Sequence, residues 1–203
     1  MNAMAAPAGL RERKKEKTRE ALVRAALRLF AKRGFDHVTV EDIATACDVS
    51  PRTFFRYFAS KEDALFSESD AQKQGLLASL AEQPPDLSPL DALHAAMQEL
   101  AAAYVDERDA LRRRHRIVRG TESLRSRAAE RQQRWESDLV EQLRGSPAAA
   151  TWRDLDLRLM VAATTAALRV AVEEWIEHDE AGDLTRIFDD VFQRLRDGLA
   201  SSP

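Results

Sequence analysis

The stretch TVEDIATACDVSPRTFFRYFASKED, residues 39–63, decides how the rest of the chain is read. Thr39 stands before Val40, Glu41, Asp42, Ile43 and Ala44. A hydroxyl there caps a short helix to about residue 47, with Asp42 near its positive end. Residues 48–50 then make a tight turn, and Ser50 followed by Pro51 opens a second helix in the favoured order of cap and first-turn proline. That helix is predicted to end near Phe58, and Ser60 starts another reaching about Glu82. Two short helices across such a turn form a pair whose second member fits a major groove. Ile43, Ala44, Cys47, Val49, Phe54 and Phe58 fall inward, leaving Arg52, Thr53, Phe55, Arg56 and Tyr57 on or near the outer side. Arginine forks onto guanine O6 and N7, threonine meets a base edge or thymine methyl, and Tyr57 and Lys61 can reach phosphates. Phe55 reads equally as a thymine contact or as packing.

Upstream, residues 11–33 read as one helix with Leu22, Ala26, Leu29 and Phe30 on one face, stopped by Gly34. Downstream, Pro84 and Pro85 break the chain, and Ser88 with Pro89 starts a helix to about residue 106. A basic helix spans about 110–119, and Thr121 is placed to cap a longer one to Arg144. A helix over about 152–178 follows, and Asp183 caps the last, whose stripe is Leu184, Ile187, Phe188, Val191, Phe192, Leu195 and Leu199. The predicted fold class is therefore all-α, with about nine helices. An N-terminal three-helix, helix-turn-helix head over residues 11–60 precedes a helical body over 61–203. Residues 1–10 are expected to be disordered.

The net charge of −3 argues against nucleic acid until its distribution is seen. Residues 1–60 hold 12 Lys/Arg and 7 Asp/Glu, net +5, whereas 61–203 hold 19 and 27, net −8. One basic end on an acidic body suits a single module meeting phosphates. Cys47 is the only cysteine, so a disulfide framework within one chain is excluded and a reducing cytoplasm fits. His37, His94, His115 and His178 lack metal-ligand spacing. No metal and no cofactor are expected. Residues 1–9 do not read as a signal peptide, and the longest apolar run, 159–168, is too short to span a bilayer, so no membrane partner is expected.

The run at 39–63, with ALRLFAKRGF at 26–35, closely resembles the signature of TetR-family regulators over about residues 18–66. The resemblance implies DNA contacts from Thr39, Ser50, Pro51 (main chain), Arg52, Thr53, Arg56, Tyr57 and Lys61. It further implies homodimers through the last two helices, and induction by a ligand in the C-terminal domain. Arg56-Tyr57 departs from the Tyr-His or His-Tyr of many members, so the operator sequence does not carry over. The C-terminal half is similar to the subgroup with acyl-CoA-like ligand-binding domains.

The basic run at 11–19 reads either as a helix face with i,i+4 ion pairs or as an arm along the phosphates. The cluster Arg112, Arg113, Arg114, His115, Arg116 and Arg119 reads as a solvated helix or as the mouth of a pocket for an anionic head group. On the second reading Arg116 and Arg119 hold the head group, and Met97, Leu100, Tyr104, Leu139 and Leu168 supply the wall. The helix at 152–178 is apolar nearly all round and so must cover two surfaces. The expected dimer seam is Met160, Thr164, Leu168, Val172, Trp175, Phe188, Val191 and Leu195. The function expected is a cytoplasmic, ligand-responsive repressor whose partners are double-stranded operator DNA, a second copy of itself and a small effector. An activator or ligand-independent regulator with the same head is the alternative. A helical-bundle enzyme lacks a phosphate loop, a nucleophile–base constellation or a metal motif.

Overall fold

Gly34 and Asp48 are the two backbone positions on which the N-terminal unit turns. Gly34 lies at φ +83°, where a side chain is strained, and it ends the first helix; Asp48 lies at φ +54° between two short helices. The computed structural model describes residues 10–178 and 182–198, and these contain nine α-helices, one short 3₁₀ turn and no strand. The expectation of disorder concerns residues that, apart from residue 10, lie outside the described ones. The helices are α1 (Leu10–Arg33), α2 (Val40–Thr45), α3 (Pro51–Phe55), α4 (Lys61–Glu82), α5 (Pro89–Val105), α6 (Arg108–Gly120), α7 (Glu122–Arg144), α8 (Asp154–Glu177) and α9 (Leu184–Arg196).

The chain divides into two compact units between Glu68 and Ser69, inside α4. Sequence placed the boundary at 60/61. The first turns of α4 belong to the head because Lys61 reaches back: its Nζ donates to the carbonyls of Phe35 at 2.8 Å and Val38 at 2.9 Å and lies 4.3 Å from the Phe35 ring centre. The head core holds Leu22, Ala26 and Phe30 of α1, Ile43 and Ala44 of α2, and Phe54 and Phe58, all buried. The ring centres of Phe54 and Phe58 are 5.4 Å apart.

In the body, α8 packs against α5, α6, α7 and α9, and one core runs from Leu93 and Met97 through Leu139 and Leu157 to Phe188 and Phe192. Ser88 accepts from the Asp91 N–H at 3.2 Å, and Asp183 from the Thr185 N–H at 3.0 Å, as their cap positions require. Thr121 stands at the start of α7 without a side-chain cap bond, contrary to expectation. It directly follows the end of α6, and its own N–H donates to the Val118 carbonyl, so this junction closes through the backbone. The second helix of the head pair is also shorter than its pattern suggested, ending at Phe55, with Tyr57 and Phe58 held by backbone bonds to the Phe54 carbonyl.

Candidate nucleic-acid interface and effector cavity

The head presents α3 through two caps, the first of them reciprocal. Thr39 Oγ1 accepts from the Asp42 N–H at 3.1 Å while Asp42 Oδ2 accepts from the Thr39 N–H at 2.9 Å. Arg33 adds a 3.1 Å bond to Asp42 Oδ1. The Thr39 N–H first, then Arg33, hold the Asp42 carboxyl below the usual carboxylate range. At the next helix the Thr53 N–H donates to Ser50 Oγ at 3.1 Å, and the two hydroxyls are 3.0 Å apart. Pro51 occupies the first turn, where its missing N–H costs nothing.

These caps leave a distinct outer face. Arg52, Phe55 and Arg56 are exposed, whereas Thr53 and Tyr57 are half-buried. Among the described residues Arg52 has no hydrogen-bond or ion-pair partner. Arg56 lies over the Tyr57 ring at 5.2 Å and donates to its hydroxyl at 3.4 Å. Phe55, 55% exposed, stands edge-on to Phe54. Lys61 has a different primary role from the one its sequence position suggested. Two of its three protons bind carbonyls within the head, leaving one for a phosphate. Cys47 is a small part-buried residue whose Sγ donates to the Ala21 carbonyl at 3.4 Å, and burial pushes its thiol up.

The body contains a cavity of about 360 Å³ among α4, α5, α6, α7 and α8. Tyr104, Leu111, Val118, Trp135, Leu168 and Val172 supply its apolar wall. Of the seven ligand-site residues expected from sequence, Tyr104, Arg119 and Leu168 line it. Met97, Leu100 and Leu139 are instead buried in the core beside it, and exposed Arg116 is not among its lining residues. The reason is helical geometry: Leu111, His115, Val118 and Arg119 recur on one face of α6, and Arg116 lies about 100° around from His115. That i, i+4, i+7, i+8 set was readable in the sequence. Lys73, Trp135 and Thr165, on three other helices, carried no local signal.

Most polar groups of the lining are already engaged. Arg119 donates to Glu177 Oε1 at 2.6 Å, Arg125 to the Arg119 carbonyl at 2.7 Å, and Arg169 to Glu173 at 3.3 Å. Thr165 and Gln132 both donate to Glu136 Oε1, at 2.8 and 2.9 Å. Burial pushes the Tyr104 phenol up to about 12, opposed by the nearby Arg114 charge. Burial likewise pulls the His115 imidazole down, against the attraction of Glu173.

Five of the eight residues expected in the dimer seam need correction. Met160, Thr164, Leu168, Trp175 and Phe188 are buried inside their own subunit, and Val172, Val191 and Leu195 are half-buried. α8 does have two apolar faces, but sequence could not tell which one its own chain covers. The face left open carries Leu155, Leu159 and Val170, which are 61%, 66% and 45% exposed. Leu155, Leu159 and Ala162 also border a groove of about 600 Å³ against α7.

Residues 22–68 match the profile of bacterial regulatory proteins of the tetR family, and residues 87–200 match the MftR C-terminal domain. This chain belongs to the TetR family. It is 35% identical over 173 residues to the HTH-type transcriptional regulator TcmR of Streptomyces glaucescens, covering 82% of this chain and 76% of that protein. The crystal structure of the Thermus thermophilus repressor FadR in complex with lauroyl-CoA is 25% identical, with a TM-score of 0.59 over 91% of this chain and 98% of that one. NalD, the secondary repressor of the MexAB-OprM efflux pump in Pseudomonas aeruginosa, shares the fold at 22% identity, with a TM-score of 0.59 over 89% and 96%. As a TetR-family member the chain is a transcriptional regulator. The family binds operator DNA as dimers and responds to small effectors. No helix among the described residues is long and apolar enough to cross a membrane.

Proposed function

We propose that the chain is a cytoplasmic, operator-binding repressor that reads DNA with Arg52, Thr53, Arg56 and Tyr57, is oriented by Thr39, Ser50, the Pro51 main chain and Lys61, and releases DNA when its body cavity fills. The observation carrying the DNA reading is the outer face of α3, where Arg52 is exposed and unpaired while its neighbours are capped or stacked. Residues 11–60 and the first turns of α4 would form the DNA module, and the remainder would bind effector and partner. Two subunits must offer recognition helices about one DNA turn, roughly 34–36 Å, apart. The exposed stripe Leu155, Leu159 and Val170 is the surface we assign to the second copy.

Release needs only an effector that binds the DNA-free state more tightly. The cavity supports a small, largely apolar molecule. The expected acyl-CoA-like effector keeps its apolar tail in this reading, but its head group loses Arg116, and Arg119 is already paired with Glu177. The test is fluorescence anisotropy on a labelled fragment upstream of the protein's own coding region. A salt-sensitive preference over random DNA is expected, and lauroyl-CoA, free coenzyme A and a neutral hydrophobe are then titrated as releasing agents. Equal binding to all DNA would defeat the operator reading. Activation rather than repression in a reporter assay would favour the activator alternative.

A further inference from the structure

Lys73 and Trp135 form a wall shared by two spaces. Both line the 360 Å³ cavity, and both line a cleft of about 240 Å³ with Asp70, Arg131, Arg134 and Asp138. The Lys73 ammonium lies 4.8 Å from the Trp135 ring centre. Among the described residues it has no hydrogen-bond or ion-pair partner. The one carboxylate close by in sequence, Asp70, is taken by Arg131. Trp135 is 6% exposed, and its indole Nε1 is buried without a hydrogen-bond partner. A ring face satisfies an ammonium only in part, and a buried donor left unmatched costs free energy. Two donors without hydrogen-bond partners thus belong to one stacked pair of side chains, and both side chains line the cavity.

We propose that the cavity takes an apolar acid, and that its carboxylate accepts from both Lys73 Nζ and Trp135 Nε1 while its hydrocarbon lies against Leu168 and Val172. This rests on the reading of the cavity as the effector site. Cations outnumber acids in the lining, with Lys73, Arg119, Arg125 and Arg169 beside Glu173, while Glu136 behind Thr165 and Gln132, Glu177 on Arg119 and Asp70 near Lys73 offset part of that charge. A cationic effector would be repelled, and a neutral one would add no hydrogen-bond acceptor for the ammonium. Burial pulls Lys73 below the usual lysine range, opposed by Asp70, so an incoming anion relieves a group now held at a cost. Arg119, the anion binder expected from sequence, already holds Glu177, and Arg169 holds Glu173. The effector's charge is therefore read on α4, the helix that continues without a break from Lys61 in the head. The volume lies near the lower end of the ~300–1,000 Å³ typical of small-molecule sites, which favours a short skeleton.

The experiment compares decanoate with decanol, below their aggregation limits, by ¹H–¹⁵N and methyl ¹H–¹³C NMR of the full-length protein. The indole resonance is assigned with Trp135→Phe. Decanoate is expected to move the Trp135 indole proton downfield, and decanol is expected to shift the methyls of Leu168 and Val172 but not that proton. Lys73→Met should weaken decanoate at least tenfold and leave decanol within twofold, and Lys73→Arg should restore most of the loss. Equal affinity for acid and alcohol in the wild type, or an unmoved indole proton, overturns the proposal while leaving the cavity as effector site. If neither compound shifts the Leu168 and Val172 methyls, the proposal falls together with the effector reading. Should Lys73→Met fail to fold, the wild-type comparison of acid with alcohol decides alone.

Discussion

The head and the body satisfy their polar groups in different ways. In the head the bonds that set the helix starts are short-range in sequence, Thr39 with Asp42, Ser50 with Thr53, and Ser60 with Asp63, while Lys61 to the Phe35 and Val38 carbonyls ties the elements together. In the body they cross between helices far apart in the chain, as from Thr165 to Glu136, Arg119 to Glu177, Gln72 to Glu107 and Arg131 to Asp70. A motif of local bonds survives as a readable string, whereas a site assembled from five helices leaves only scattered residues. The difference also separates the tasks. The head sets its helix starts with local caps, while the body leaves a space lined from five helices.

The sharpest way to break this comparison is at Phe188. The sequence set it in the dimer seam, but it is fully buried in its own subunit, 5.5 Å from the His94 ring and 6.1 Å from Phe192. Phe188→Ala should therefore cost about 3–5 kcal/mol of body stability, measured by urea denaturation. Leu159→Arg, on the exposed face, should fold with unchanged midpoint at high dilution and shift light scattering from dimer to monomer. A stable, monomeric Phe188→Ala protein would restore the sequence-based seam and refute the open face of α8.

The next effect is titration in the body. The Tyr104 phenol ionises near 10 when unfolded and at about 12 when folded. Between those values the unfolded chain has lost a proton that the folded chain keeps, so stability falls as pH rises. The loss reaches about 2–3 kcal/mol by pH 12. Tyr104→Phe should lose that part of the slope between pH 10 and 12 and match the wild type below pH 9. Parallel curves for the two proteins would show that Tyr104 is not held in a water-poor site.

On the DNA face, Arg52→Ala should lose about 1–3 kcal/mol on the preferred operator and relax preference at one base pair per half-site. Equal loss on random DNA would remove it from base readout. Lys61→Ala should weaken all sequences alike and also lower the head's own stability, because its ammonium holds the Phe35 and Val38 carbonyls.

How much was legible follows from the same division. The order and near-bounds of the nine helices among the described residues came from periodicity, prolines and most of the caps, Thr121 excepted, because those signals are local. The outer face of α3 came from a single repeat of inward positions, and exposed Arg52 and buried Phe54 lie where that repeat puts them. In the body, Leu168 and Met160 were placed by apolar character alone, which two faces of α8 share. Arg116 was chosen for its charge, where the angular position of His115 and Arg119 mattered more. Lys73 and Trp135 were invisible, because their pairing depends on α4 meeting α7.

The smallest effect tests the local side of the comparison most directly. Thr39→Ala removes the acceptor for the Asp42 N–H and the cap that sets the start of α2, a change worth about 1 kcal/mol at helix N-termini. Hydrogen exchange should show α2 amides opening more readily, with the core amides of α8 unaffected, since a local cap governs a local opening. Thr39→Ser should restore protection, because it keeps the oxygen and loses only a methyl. Acid gives a second handle. The Asp42 carboxyl is held below its ordinary value of 3.8, so its half of the capping box is fully present above that pH and is lost as pH falls through the lower folded value. Wild-type α2 should then approach the Thr39→Ala exchange pattern at the acid end. If the alanine variant instead protects α2 like the wild type at neutral pH, the burial of Ile43 and Ala44 holds that helix, and the head is no more locally built than the body.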